Sequence, residues 1–390
     1  MEVICYQRFS RHTATGTSVP VAFFVAEPDE DPPLFRKLAP TGYSASLTGG
    51  FLTALCFSAL LIETRAYARA GLLGNPSDGF FGKTIAITVR NFGASVTLYP
   101  SPELYIEPQP QDTNVFRSLH HLRDAVSTLG YHGGVPLLKA AIKKFAEYCE
   151  NEHIRLPNQN FSIRYSTSIP RQVGLSGSSA IIVATFRALM QFYRVEIPLP
   201  VLPNLVLATE SEELGITAGL QDRVIQCYEG CVYMDFDRAT MERQGYGQYE
   251  PLDPRLLPRL YIAYNTDLGK QSGRVHNDVR ARWLKGEEVV VETMSAIADV
   301  AREGRDAVHR QDTDALNELV NRNFDLRARI YAISDRNRSL IDTARACGAS
   351  ASFTGSGGSI IGLYRDDAML NRLFVGLKKI NARVIKPYVV

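Results

Sequence analysis

The sequence predicts an α+β protein with two domains divided near residue 245. Three observations carry this. The chain has 390 residues, and at about 100–200 residues per domain that is room for two. Apolar residues make up 45% and charged residues 22%, the balance of an ordinary globular chain and not of a disordered tail, a collagen or a coiled coil. The strand-like segments come mainly early, and a block of helical patterns follows Asp237, which is the α+β arrangement. The formal charge is only +2, so nothing suggests nucleic acid or an anionic membrane as a partner, and any basic site must be local.

Residues 1–60 stand apart as an extension of uncertain structure. They hold the acidic, proline-rich Glu27-Pro28-Asp29-Glu30-Asp31-Pro32-Pro33 and then an uncharged run of 25 residues from Leu38 to Ile62. That length raises a membrane span. However, the run opens with Pro, Thr, Gly and Ser, and it lies too far in for a secretory signal. The reading preferred is an extension packed on the domain, or a stretch outside the natural fold, and no membrane is expected. Six cysteines, with no CxxC pair and no zinc spacing, read as reduced thiols in a cytoplasmic protein.

Domain one is expected over 61–245. Thr84–Val89 and Ala94–Leu98 are rich in β-branched residues and predict strands. Leu122–Leu129 and Val135–Glu150 have helical spacing, the second through Leu137, Leu138, Ile142 and Phe145. Phe161–Ser168 alternates as a strand, Ser178–Tyr193 is a long apolar helix, and Asn204–Leu214 is a helix ending at Gly215. In the second domain, 246–390, Val289–His309, Thr313–Tyr331 and Ser339–Cys347 predict helices. Ser350–Phe353, Ser359–Tyr364 and Ala382–Val389 predict strands.

The segment with the most chemistry is Pro170-Arg171-Gln172-Val173-Gly174-Leu175-Ser176-Gly177-Ser178-Ser179. It joins a strand to a long helix. Small residues admit a ligand close to the backbone, and the helix start offers unpaired N–H groups and partial positive charge. The hydroxyls can reach phosphate oxygens or a cation. The bland alternative is a helix start capped by Ser176 or Ser178. It is not a Walker A loop, since no lysine follows; Gly82-Lys83-Thr84 is a near miss with Ser77 where the first glycine belongs. Two more glycine-rich segments are Ala68-Arg69-Ala70-Gly71-Leu72-Leu73-Gly74-Asn75-Pro76-Ser77-Asp78 and Phe353-Thr354-Gly355-Ser356-Gly357-Gly358-Ser359. A fourth, Glu210-Ser211-Glu212-Glu213-Leu214-Gly215 through Gly219-Leu220-Gln221-Asp222-Arg223, sets carboxylates around glycines.

Pro-x-x-x-Gly-Leu-Ser-x-Ser-Ser resembles the signature of the GHMP kinases, and the flanking glycine motifs resemble that family's other two, in the same order. The resemblance covers about residues 61–390. It implies a ribosomal-S5-like first domain, a ferredoxin-like second domain and an active site between them. It also implies ATP and Mg²⁺. The loop Pro170, Gly174, Leu175, Ser176, Gly177, Ser178 and Ser179 would hold the nucleotide. Ser178 and Glu210 would hold the metal, with Ser176, Ser179 and Glu213 as near alternatives. Asp222 would face the acceptor hydroxyl, Arg69 would balance charge, and Asn75, Asp78, Gly355, Ser356 and Gly357 would face the substrate.

Gly74-Asn75-Pro76-Ser77-Asp78 keeps the aspartate of the galactokinase motif but replaces its Glu-His by Asn-Pro. Removing a negative charge there suits an acceptor with a C6 carboxylate. This string, together with Gly273-Arg274-Val275-His276, Arg280-Ala281-Arg282-Trp283 and Asn323-Phe324-Asp325-Leu326-Arg327, resembles the glucuronokinase branch, whose acceptor is the anomeric hydroxyl of glucuronate. A carboxylate calls for a guanidinium fork, from among Arg90, Arg171, Arg274, Arg280 and Arg282, with Arg274 counted among the substrate-facing residues. Other readings are a galactose, fucose, heptose or mevalonate type of kinase, or a sugar sensor without catalysis. A monomer or homodimer is expected. His132-Gly133-Gly134 is read as the turn into a helix, and Trp283 as core or interdomain packing.

Overall fold

A computed structural model describes residues 61–109, 112, 118–119, 133–216, 218–266 and 276–390. The extension 1–60, the expected helix at 122–129, His132 and Arg274 lie outside the described residues. Residues 61–390 form one compact unit, built on two sheets.

The first sheet grows from one long strand. β1 (Ile62–Leu73) and β2 (Lys83–Pro100) pair antiparallel, from Ile62 opposite Leu98 to Leu73 opposite Ile85. The two strands expected at 84–89 and 94–98 are therefore one. Tyr67 pairs with Gly93 and Ala68 with Val89, so residues 90–92 bulge out of the ladder without ending it. β3 (Tyr105–Ile106), β4 (Phe161–Thr167), β5 (Cys231–Asp235) and β6 (Gln248–Leu252) complete the order β3-β4-β2-β5-β6. β4 takes the far half of β2 and β5 the near half.

Two helices on this sheet follow their predicted periods. α1 (Gly134–Asn151) buries Leu137, Leu138, Ala141 and Phe145. α2 (Gly177–Tyr193) buries residues on almost every face, including Ile182, Val183, Phe186 and Leu189, because it is sandwiched between α1 and strands β1 and β2. The helix expected over 204–214 divides. α3 (Leu202–Ala208) is α-helical, and Thr209–Glu213 is a turn of π-helix. Such turns are rare and tend to mark functional positions. α4 (Gln221–Tyr228) and α5 (Arg238–Gln244) follow.

The second sheet has the order β10-β7-β9-β8, from β7 (Leu260–Asn265), β8 (Ser352–Phe353), β9 (Ser359–Leu363) and β10 (Ala382–Ile385), all antiparallel. Its helices are α6 (His276–Leu284), α7 (Glu288–His309), α8 (Thr313–Ile330), α9 (Asp335–Ala346) and α10 (Asp367–Lys378). The changeover between sheets lies between Leu252 and Leu260. No described helix is long and apolar enough to cross a membrane. Cys149, Cys227 and Cys231 are buried free thiols, and Cys347 is a partly exposed one.

Helix α7 packs on β1 and β2 and so fastens the second half of the chain to the first sheet. It approaches closely because residue 304 has no side chain: a Cβ there would lie 2.2 Å from Leu73 Cδ1 and 3.5 Å from Ile85 Cδ1. Both neighbours are fully buried and have little room to yield. Gly304→Ala is expected to cost about 1–3 kcal/mol by overpacking. The double variant with Leu73→Ala should be more stable than the sum of the single losses predicts, by about 1 kcal/mol or more. Urea unfolding of the four proteins measures this; strict additivity would mean that the helix does not rest on Leu73.

Candidate active site

Most of the predicted site residues line one cleft of about 540 Å³. Its floor is set by β1. Arg69 points inward from that strand and is 4% exposed. Its Nε and Nη2 donate to Asp222 Oδ1 and Oδ2 at 2.5 and 2.6 Å, a bidentate fork. Its Nη1 donates to the carbonyls of Gly174, at 2.5 Å, and Thr354, at 3.0 Å. One guanidinium thus joins β1, the serine loop, the first turn of α4 and the C-terminal glycine loop.

The charge alternates onward from there. Arg223, next to Asp222 on α4, donates Nη1 to Asp222 Oδ2 at 3.3 Å and Nε to Glu210 Oε2 at 2.7 Å, and its Nη2 also bonds Glu210. Glu210 is fully buried and also accepts from Ser178 Oγ at 2.7 Å and Ser179 Oγ at 3.0 Å. The π-turn produces this placement. It sends Glu210 inward while Glu212 and Glu213 remain outside on Lys144 and Lys143 at 2.7 and 2.8 Å. Glu213, the alternative metal ligand, is therefore turned away from Ser178.

Ser176 starts α2 in the left-handed region, and no side chain caps the helix. Its hydroxyl goes to Asp222 Oδ2 at 2.7 Å instead. The capped-helix alternative does not hold, and the first-turn N–H groups remain available to an anion. Pro170, Gly174, Leu175, Ser176, Gly177 and Ser178 line the cleft, whereas Ser179 and Glu210 lie behind its wall. Gly174 has φ +75°, and a Cβ on it would sit 2.6 Å from Gly357 O, so this loop and the second sheet's loop meet backbone to backbone. Ser359 Oγ reinforces the contact by donating to Val173 O at 2.5 Å. Gly357 is at that seam; Gly355 and Ser356 face the cleft.

At the other end stand Asn75, Asp78, Gly79 and Phe80. Asn75 is held by Gln221 Nε2 on its Oδ1 at 3.1 Å and by Gly355 O on its Nδ2 at 3.3 Å. Asn323 locks the same turn, accepting from Gly74 N at 2.7 Å and donating to Asn75 O at 3.2 Å. Gln221, Arg223, Asn323 and Arg327 had no role assigned from sequence. The signal was present for Arg223, since a carboxylate buried like Glu210 needs a cation. Gly133 and Gly134 line the cleft at the start of α1, where Gly134 N donates to Asp112 Oδ1 at 2.7 Å. Trp283 packs on Phe80 and Phe81, with ring centroids 5.6 and 6.2 Å away. Arg171 and Arg280 line the cleft. Arg90 pairs instead with Glu229, and Arg282 with Glu287.

The two cleft aspartates titrate in opposite directions. Burial works against ionising Asp222, but the Arg69 and Arg223 guanidiniums and the Ser176 hydroxyl outweigh it and hold the carboxyl below its usual range. Asp78 is pushed up to about 6, by burial first and by the Asp222 charge second. Such a split marks groups with different tasks.

Residues 136–230 match the GHMP kinases N terminal domain, and 305–379 match the GHMP kinases C terminal domain. Glucuronokinase 1 of Arabidopsis thaliana is 47% identical over 306 residues, covering 77% of this chain and 84% of that protein. Probable glucuronokinase 2 of the same plant is 47% identical over 308 residues, with the same coverage of each chain. The Lactococcus lactis galactokinase structure complexed with galactose superposes with a TM-score of 0.67 at 15% identity, over 84% of this chain and 93% of that one; this likeness concerns the fold.

A raised carboxyl pKa means that the folded state binds the proton more tightly than the unfolded state, so stability falls as pH rises from about 4 through about 6. Asp78→Asn removes the ionised form. It should stabilise the protein at pH 7 by on the order of 2 kcal/mol and by much less at pH 4. Denaturant melts at the two values check this. An equal gain at both would assign the effect to packing.

Proposed function

This chain belongs to the GHMP kinases, and from that we propose that it transfers the γ-phosphoryl group of ATP to the anomeric hydroxyl of D-glucuronate, releasing glucuronate 1-phosphate and ADP. Membership makes ATP the donor, and the 47% identity to the two glucuronokinases supports a sugar hydroxyl as the acceptor. The observation that carries the assignment of roles is Asp222, an ionised carboxylate on the cleft wall, set beside a helix N-terminus that no side chain caps.

Phosphoryl transfer asks for alignment and neutralised charge more than for covalent chemistry. The N–H groups opening α2 at Gly177, Ser178 and Ser179 bind the phosphates. Among the described residues, Asp222 Oδ2 already accepts from Arg69, Ser176 and Arg223, whereas Oδ1 accepts only from Arg69. A carboxylate oxygen takes about two hydrogen bonds, so Oδ1 has room for the acceptor hydroxyl. That oxygen orients the hydroxyl and takes its proton as the new O–P bond forms and the bond to ADP breaks. Its lowered basicity suits a transition state in which the proton leaves late. Arg69 keeps the carboxylate ionised and aimed.

Ser178 and Glu210 would hold Mg²⁺ once the Ser178 hydroxyl gives up the hydrogen bond it now donates to Glu210 Oε1. Their oxygens are hard donors 2.7 Å apart, close enough to be neighbouring ligands, and magnesium commonly takes one or two carboxylates beside substrate phosphates. When bound there, the ion would neutralise charge on the β- and γ-phosphates. Arg223 shares Glu210 and fixes its orientation.

Two observations support glucuronate over a neutral hexose. The identity to the two plant glucuronokinases is 47%, and position 75 holds a neutral amide, 3% exposed and hydrogen bonded through both of its polar atoms. An ATP-consumption assay over uronic acids and neutral hexoses should show glucuronate preferred. If galactose or glucose is used as well, the substrate assignment fails and the kinase assignment remains. In the same assay Asp222→Asn should lose about 10²–10⁴-fold in kcat. Retention within a few-fold would remove Asp222 from the proton transfer. Ser178→Ala should raise the Mg²⁺ concentration needed for half-maximal rate.

A further inference from the structure

The glucuronate reading leaves open which group receives the substrate's carboxylate. Among the described residues, four arginines line the cleft: Arg69, Arg171, Arg223 and Arg280. Arg69 and Arg223 are each joined to buried carboxylates. Arg171 follows Pro170 at the approach to the serine loop and lies near enough to Tyr165 to act on its hydroxyl. Tyr165 donates to Asp112 and receives Gly134 N, so Arg171 stands with this polar group at the start of α1.

Arg280 is different. It stands on α6 and donates Nη1 to Gly79 O at 2.9 Å, immediately after Asp78. No carboxylate of the described residues pairs with it. A guanidinium has five N–H donors, and one is used, which leaves a fork free. Its position is nonetheless secured. Trp283, three residues along the same helix, packs edge-on against Phe80, so helix and turn are joined both by a hydrogen bond and by an aromatic contact.

A second cation acts on the same end from behind the wall. Arg327 is 2% exposed and pairs with no carboxylate among the described residues. Its Nη1 donates to Gly355 O at 2.8 Å, its Nε finds no partner among the described residues, and its guanidinium lies 5.2 Å from the rings of Tyr331 and Phe353. Tyr331 and Gly355 are cleft-lining residues. A buried cation without a counter-charge is costly. Asp78 offsets part of that cost through space, and an anionic ligand at this end would offset more.

We propose that Arg280 binds the C6 carboxylate of the uronate as a two-pronged clamp, with Arg327 contributing positive field from behind the Tyr331–Gly355 wall. The clamp sets the acceptor's direction, with the carboxylate toward α6 and the anomeric hydroxyl toward Asp222, and it rests on the glucuronate reading above. Lysine would supply charge without the fork.

The experiment compares wild type, Arg280→Met and Arg280→Lys. It measures kcat and KM for glucuronate and for glucose, which has the same ring without the carboxylate. Binding of glucuronate and of ADP is titrated separately through the fluorescence of Trp283, the single tryptophan of the chain. Arg280→Met should weaken glucuronate binding about 10–100-fold, the worth of a charge-assisted contact, mainly through KM. The preference for glucuronate over glucose should fall with it, ADP affinity should stay within about twofold, and Arg280→Lys should recover part of the loss. An unchanged glucuronate affinity, or an equal loss for ADP, overturns the clamp alone. A wild type that does not prefer glucuronate overturns the substrate reading and the clamp together.

Discussion

The cleft depends on a buried row of alternating charge: Arg69, Asp222, Arg223 and Glu210. Each member neutralises its neighbour, and each comes from a different place along the chain or faces a different way. Arg69 is on β1, Asp222 and Arg223 open α4, and Glu210 is on the π-turn. Breaking such a row costs more than the lost contact, because the remaining charge is left buried without a partner, at roughly 3–5 kcal/mol. The row therefore ties the serine loop, Asp222 and Glu210 to one geometry. Hydrophobic packing alone would permit each of them to drift.

Carbonyl groups give the row its reach into the second half of the molecule. Arg69 holds Gly174 O and Thr354 O together, and Ser359 and Thr354 donate to the same loop at Val173 and Gly174. The glycine motif of the second sheet is thus part of the floor of the site. A main-chain carbonyl is a fixed acceptor that any residue supplies, and it can be held closely only where neither loop carries a Cβ. That explains glycines on both sides of the seam.

Asp78 and Asp222 have the same side chain in different surroundings. Two guanidiniums surround Asp222, whereas Asp78 has a backbone N–H and a more distant cation and faces the Asp222 charge. One is a firm anion and the other is readily protonated. A carboxylate of that second kind can meet sugar hydroxyls, but it needs a cation between itself and an acidic substrate. The guanidiniums of Arg280 and Arg327, which pair with no carboxylate among the described residues, stand at that end.

Composition and period determined the α+β class, the long helices and the glycine loops, because these depend on local patterns: 3.6-residue spacing, β-branched runs, and positions where a side chain is excluded. The family followed from the glycine motifs for the same reason. The strand halves at 84–89 and 94–98 were legible, but their union was not, since only pairing with β1 shows that the bulge leaves the ladder unbroken. The strands Ile62–Leu73, Cys231–Asp235, Gln248–Leu252 and Leu260–Asn265 are not legible in the sequence: the last three are short and bounded by weak turn signals, and the first runs into a glycine-rich motif that reads as a loop. The inward aim of Glu210 is fixed by Ser178, Ser179 and Arg223 from two other helices, which no local pattern around 209–213 reveals. Which arginine is paired and which is free was decided only by tertiary structure. A guanidinium's role is set by the carboxylates within about 4 Å of it, and in this chain those partners are as much as 153 residues away.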